Sequence, residues 1–235
     1  MSDLTRLWPA IIVTIVFAAL ARWVRGVSFG GAIAGAAVCF LLCVGAGYGA
    51  FVALVSVFGL TWISTRFGYR WKEKLGTAER LDGRTALQVL ANLAVAACCA
   101  GLSALTEKRA VCLLALSAAL SEAAADTVSS EVGQARSAKA RLITTWEEVA
   151  AGTDGGVSVA GTVAGSAAAT VVSLVCVETG LVPLRWLGVL IIAAMAGMIG
   201  DSLLGALLER RKMLSNDAVN LLGTLIAAAV ASLLV

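Results

Sequence analysis

The chain has no histidine. That single absence removes Ser-His-Asp triads, histidine metal sites and a histidine general base. With only two prolines in 235 residues, little interrupts long helices. Charged residues make up 14% of the chain and the net charge is +3; so slight an excess gives no reason to expect a nucleic-acid partner. Six cysteines are present, Cys39, Cys43, Cys98, Cys99, Cys112 and Cys176. All lie in apolar runs, where cysteine behaves as a small hydrophobe, and no CxxC pair suggests zinc.

Apolar residues are abundant. They form 60% of the chain, against about 45–50% in a soluble domain, and the mean hydropathy is +0.92. Plentiful Ala, Gly, Leu and Val point to packed transmembrane helices with small residues at their contacts. The apolar start, Leu7 to Ala21, has no A-x-A-like cleavage site after it, so a retained helix is expected. Runs long enough to cross a bilayer predict helices near 7–23, 29–44, 48–64, 87–105, 111–126, 157–177, 184–208 and 218–234. The fold class is all-α: a polytopic transmembrane bundle of about eight helices, forming one integral membrane domain over 1–235. The glycine punctuation Gly45-Ala46-Gly47-Tyr48-Gly49 separates helices two and three; fusing them gives a seven-helix alternative.

The loop from Arg66 to Arg84 carries six basic residues, a topology and lipid-headgroup signal. Placing it in the cytoplasm and alternating leaves only Arg6, Lys108, Arg109 and Arg185 of the 18 Lys and Arg residues outside. Eight helices with both termini outside satisfy the positive-inside rule; the seven-helix alternative moves Arg22 and Arg25 outside. The same alternation brings Glu122, Asp126, Glu131, Asp154, Asp201 and Asp217 to the cytoplasmic side. A rule that counts only Lys and Arg does not impose that clustering.

Five segments carry the polar groups. In Ser121 to Gln134, Glu122 and Asp126 stand i, i+4 on one helix face and repel unless a cation or proton lies between them. Ser129, Ser130 and Glu131 add oxygens, the ligands a hard cation such as Mg²⁺ takes and shares with phosphate. Gly152-Thr153-Asp154-Gly155-Gly156-Val157-Ser158 lets backbone approach a ligand just before a helix N-terminus, a place that suits phosphate. Asp201, inside Gly200 to Ala206, is costly within a membrane helix without a cation or partner. In Ser215 to Asn220, Ser215 can simply cap a helix, whereas the Asn220 amide needs partners. In Leu81 to Asn92, Gln88 and Asn92 share a helix face and Arg84 stands at the entrance, suited to bidentate phosphate binding.

Together these segments resemble the phytyl-phosphate kinase, or transmembrane protein nineteen, family of integral membrane proteins. The matching residues are Gly83-Arg84 with Gln88 to Asn92, Ala125-Asp126-Thr127 with Ser130 to Gly133, Gly152 to Ser158 with Gly161-Thr162, Gly200 to Ala206, and Asn216 to Leu222. Asp154 stands where the family often has Asn. The resemblance implies phosphoryl transfer from a nucleoside triphosphate, CTP or ATP, to an isoprenyl or phytyl monophosphate, giving the diphosphate.

With that implied chemistry, Arg84, Asp126, Glu131 and Asp201 are the expected catalytic residues. Glu122, Asp126, Glu131, Asp201 and Asp217 are the expected Mg²⁺ ligands. Gln88, Asn92, Ser130, Gly152, Thr153, Asp154, Gly155, Gly156, Ser158, Ser202, Asn216 and Asn220 are the expected substrate- and nucleotide-binding residues. An isoprenoid lipid phosphate, a nucleoside triphosphate and the bilayer are the expected partners, and the glycine-rich helices also suit a homodimer. The site would face the cytoplasm from the inner membrane. Membrane-embedded acids equally suit an ion-coupled transporter or a lipid-phosphate flippase.

Overall fold

The computed structural model describes residues 3–80 and 82–235, with side chains from Leu7 onward. Leu81, which opens the fifth polar segment, and the Arg6 side chain lie outside the described residues. Among those described, the chain is an all-α bundle with one small sheet. Its helices are α1 (Asp3–Trp23), α2 (Phe29–Gly45), α3 (Tyr48–Arg66), α4 (Tyr69–Leu75), α5 (Ala86–Leu105), α6 (Arg109–Arg136), α7 (Val159–Glu178), α8 (Leu187–Leu204) and α9 (Asn216–Leu233). Six segments, beginning with α3, are long and apolar enough to cross a membrane; α1 and α2 contribute shorter apolar stretches, Leu7–Trp23 and Phe29–Gly45. Helices two and three are separate, because the chain turns at Gly47 with φ +90°.

The architecture centres on α6. It packs against α3, α5, α7, α8 and α9, and most of its apolar stretch is buried, whereas less than half is in each of the other five long spans. Composition explains this position. Ala115, Ala118, Ala119, Ala123, Ala124 and Ala125 are all buried, and small side chains let neighbours approach from every side. Where apolar surface offers no gain over lipid, such close packing is what holds helices together. The helix placed at the centre is therefore the one carrying Glu122, Asp126 and Glu131.

The structure departs from the expected boundaries in four places. The fifth expected helix, 111–126, continues unbroken through Ser129-Ser130 to Arg136. At 28 residues it is about 42 Å long, so its last turns project beyond the hydrocarbon layer, where α4 packs on it. The 66–84 loop is not entirely loop: α4 lies inside it, bounded by left-handed Gly68 and Gly76. Between α6 and α7 the chain forms a three-stranded antiparallel sheet, β1 (Lys139–Leu142), β2 (Glu148–Ala150) and β3 (Gly156–Val157), in the order β2-β1-β3. Finally, the expected helix 184–208 divides into a 3₁₀ turn (Leu184–Trp186), α8 and a π turn (Gly205–Glu209).

Candidate functional site

At the end of the bundle that carries α4 and the sheet, a polar cavity of about 300 Å³ opens. Five separate stretches converge on it: Arg84 to Asn92, Asp126 to Gln134, Ala151 to Ser158, Asp201 to Glu209, and Asn216 with Asn220. The lining includes Arg84, Gln88, Asn92, Asp126, Ser130, Glu131, Gly152, Thr153, Asp154, Gly155, Gly156, Ser158, Asp201, Ser202, Asn216 and Asn220. Glu122 and Asp217 are not in that lining. Glu122 lies one turn deeper in α6 and is 1% exposed. Asp217 is half-buried in the first turn of α9, where a negative charge favours the helix N-terminus.

Arg84 is held by its backbone. Its N–H donates to the Gly26 carbonyl (3.1 Å), its carbonyl accepts from the Ser28 N–H (2.9 Å), and it bridges Val27 in parallel. Gly83 makes this approach feasible: φ is +80°, and a Cβ there would sit 2.5 Å from the Gly26 carbonyl carbon. The guanidinium reaches Thr127 Oγ1 at 3.4 Å. Directly after it comes a capping box for α5. The Gln88 N–H donates to Thr85 Oγ1 (3.3 Å) and the Thr85 N–H to Gln88 Oε1 (2.7 Å). The Gln88 amide also donates to Glu79 (3.2 Å), and Asn92 donates to the Gln88 carbonyl (2.9 Å).

Asp126 of α6 and Asp201 of α8 line the cavity together with Arg84, and Glu122 lies with Asp201 around Gly223. Among the described residues, neither Asp201 Oδ2 nor Glu122 Oε1 has a hydrogen-bond partner though both are buried, a costly arrangement for oxygens that bear charge. The backbone beside them is bare: a Cβ on Gly223 would lie 2.6 Å from Glu122 Oε1 and 3.4 Å from Asp201 Oδ2.

Glu131 is differently engaged. Its two carboxylate oxygens accept from the Thr65 hydroxyl (2.9 Å) and from the Lys72 ammonium of α4. Lys72 is 0% exposed and also donates to the carbonyls of Ser64 (3.2 Å) and Thr65 (2.8 Å). Lys72 is therefore a buried clamp on Glu131.

The glycine-rich turn leaves β2 and returns to the cavity wall at Gly155, whose φ is +74°. A Cβ there would meet Ala206 at 2.4 Å, so the turn rests directly on the π turn after α8. Ser158 caps α7 by accepting from the Gly161 N–H (3.1 Å).

Sequence reading missed Lys72, Thr65 and Glu209. Glu209 lines the cavity beside Asn216. It follows Asp201 by eight residues, an offset of roughly 80° on a regular α-helix. The wider i→i+5 turn rotates less per residue and carries Glu209 back towards the Asp201 face. Glycine at 205 is the one local signal for that turn.

The cavity's chemistry is lopsided. Among the described residues, Glu79, Asp126, Glu131, Asp154, Asp201 and Glu209 line it, and Arg84 is the one cationic lining residue. Among the described residues, no three acidic or cysteine side chains form a ready metal cluster. A divalent cation here would rest on two carboxylates and complete its shell from elsewhere, a donor set that fits Mg²⁺ with phosphate and water.

The comparisons with known proteins agree with a membrane role. No solved structure is significantly similar to the chain. An uncharacterized membrane protein of Methanocaldococcus jannaschii is 32% identical over 237 residues, spanning 100% of this chain and 96% of the relative. One from Synechocystis is 33% identical over 192 residues, covering 79% and 73%. The chloroplast protein VTE6 of Arabidopsis thaliana is 29% identical over 196 residues, covering 80% of this chain but only 59% of VTE6. The model of the integral membrane family DUF92 matches residues 12–228, so the chain belongs to that family.

Proposed function

We propose that the protein is a membrane-embedded, Mg²⁺-dependent kinase that moves a phosphoryl group from a nucleoside triphosphate, CTP or ATP, to an isoprenyl or phytyl monophosphate. The observation that carries this reading is the convergence of five chain segments on one acid-rich polar cavity at one end of the bundle. Phosphate groups are anionic, and a cavity whose described lining has six acids and one arginine repels them unless a cation enters with them. Asp126 and Asp201 would hold that Mg²⁺, and the bound ion would neutralise charge on the phosphates.

The remaining work falls to the chain itself. Arg84, fixed by its backbone, offers a planar fork to the acceptor phosphate. The glycine-rich turn, seated on Thr77 at Gly152 and on Ala206 at Gly155, puts its backbone in the cavity wall, where it would meet phosphate oxygens. Asn92 and Asn220 orient polar groups at the wall. A phosphate oxygen of the acceptor bonds to the terminal phosphorus of the nucleotide as the bridging P–O bond breaks. The products are the isoprenyl diphosphate and the nucleoside diphosphate. A monophosphate acceptor is already ionised near neutral pH, so the transfer needs no general base and the lack of histidine is no obstacle. Glu131, held by Lys72 and Thr65, positions the end of α6; Glu122 and Asp217 support from outside the lining.

The clustering of Lys and Arg at the cavity's end of the bundle supports a cytoplasmic opening. An ion-coupled transporter or flippase would place its site near mid-span, whereas this lining comes from one end. The deciding assay incubates purified protein with Mg²⁺, labelled CTP or ATP, and a panel of isoprenyl monophosphates. Labelled diphosphate is the expected product; its absence with every acceptor and both nucleotides would sink the kinase reading.

A further inference from the structure

A second cavity lies beside the first. It is a crevice of about 320 Å³ between α1, α2, α3 and α5, within the size range of small-molecule sites. Its deep walls are Phe17, Gly35, Leu54, Val57, Phe58 and Leu93. The charged lining residues Arg25, Arg66, Glu79, Arg80 and Arg84 belong to the helix ends and connections at its mouth. Glu79, Arg84, Gln88 and Asn92 line both cavities. One wall, with one arginine, thus divides an apolar space from the acid-rich one.

We propose that this crevice holds the hydrocarbon tail of the phosphorylated acceptor, with its phosphate at Arg84. The inference rests on the kinase reading for the chemistry at the wall. Leu54 lies eleven residues before Thr65 at the mouth, a depth of roughly 16 Å along α3. Phe17 narrows the deep end, where its ring meets Phe58 edge-on at a centroid distance of 5.5 Å. The rim is fixed: Arg66 stacks 4.1 Å over Trp62, and both donate to the Val24 carbonyl. Gly35 opens the flank, since a Cβ built there meets nothing within 4 Å. The protein leaves that space to a ligand, and Phe17 and Phe58 measure the ligand's length.

The test uses the full-length purified protein and hexadecyl monophosphate bearing a terminal diazirine. Photolabelling is expected at the segments holding Phe17, Leu54 and Phe58, with Gly35→Leu cutting it about tenfold, the scale on which small shape changes in an apolar pocket discriminate. In turnover, Gly35→Leu is expected to lower the geranylgeranyl-to-prenyl monophosphate ratio of kcat/KM by about tenfold, and Phe17→Ala to raise it.

Three results overturn the proposal. The first is label confined to lipid-facing positions such as Ile33 and Val44. The second is label displaced by phosphatidic acid but not by isoprenyl monophosphate, which would mark a bilayer-lipid site. The third is turnover whose chain-length ratio is unmoved in both variants. That third result leaves the kinase reading standing, whereas crevice labelling with no turnover on any acceptor overturns the kinase reading alone.

Discussion

Among the described residues, Asp201 Oδ2 is buried without a donor, and the equally unpartnered Glu122 Oε1 lies beside it around Gly223. Such an oxygen is a liability to folding and a resource for binding a cation. Asp201→Asn should therefore lower turnover by about 10²-fold, the scale of losing one preorganised electrostatic contact, while leaving the melting temperature equal or higher. Loss of activity with a matching loss of stability would mean that Asp201 is structural. Lys72 predicts the opposite pattern. Removing one partner of a buried ion pair costs about 3–5 kcal/mol, and replacing both can be neutral. Lys72→Met should destabilise the protein, and adding Glu131→Gln should restore most of that loss in detergent unfolding. Equal stability of the single and double variants would show that Glu131 does not need its cation.

The residue scale is also where the sequence is most and least legible. Asp126 and Asp201 stand out because a charge in an apolar helix has few innocent explanations. Lys72 is hidden because a lysine in a basic loop reads as a topology signal, and only the short α4 turns it inward. The Thr85-x-x-Gln88 spacing is a capping-box signature. Gln88 closes that box, and the same side chain also holds Glu79 at the cavity wall.

At the scale of elements, hydropathy is enough to locate the membrane-length helices, because backbone satisfaction in lipid permits little else. It does not reveal the end of α6. Beyond Asp126 the sequence turns polar, and tertiary contacts hold the last turns: Glu131 with Lys72 and Thr65, and Gly133 against Ser158. Nor does it reveal the sheet, whose strands of two to four residues carry no periodic signal. The short sheet and the π turn together set the glycine-rich turn on Ala206. Gly155→Val should therefore push the turn off the wall and raise KM for nucleotide at least tenfold, with α7 intact by circular dichroism. Ser158→Ala, by contrast, removes only a helix cap and should cost about 1 kcal/mol. An unchanged KM in Gly155→Val would exclude the turn from nucleotide binding.

At the scale of the whole molecule, the polar cavity and most of the basic residues share one end of the bundle. On the proposed cytoplasmic opening of the cavity, a single cysteine at Trp146, an exposed residue between β1 and β2, should react with an impermeant maleimide only after cells are permeabilised. A cysteine-free background is needed, since six native thiols are present and free. Labelling of intact cells would invert the topology and move the cavity away from cytosolic nucleotide.

The burial of α6 has a consequence for biogenesis. Helices enter the bilayer in chain order, and α6 precedes α7, α8 and α9, which supply much of its cover. While the chain is being made, Glu122 and Asp126 reach the membrane before Asp201 and the glycines of α8 and α9 exist to meet them. On insertion in chain order, α6 would meet the bilayer before the α8 and α9 residues that surround Glu122 in the folded protein. Surveillance of half-made membrane proteins would therefore act on this chain chiefly in the interval between α6 and α9, and a truncation after Glu178 would prolong that interval indefinitely.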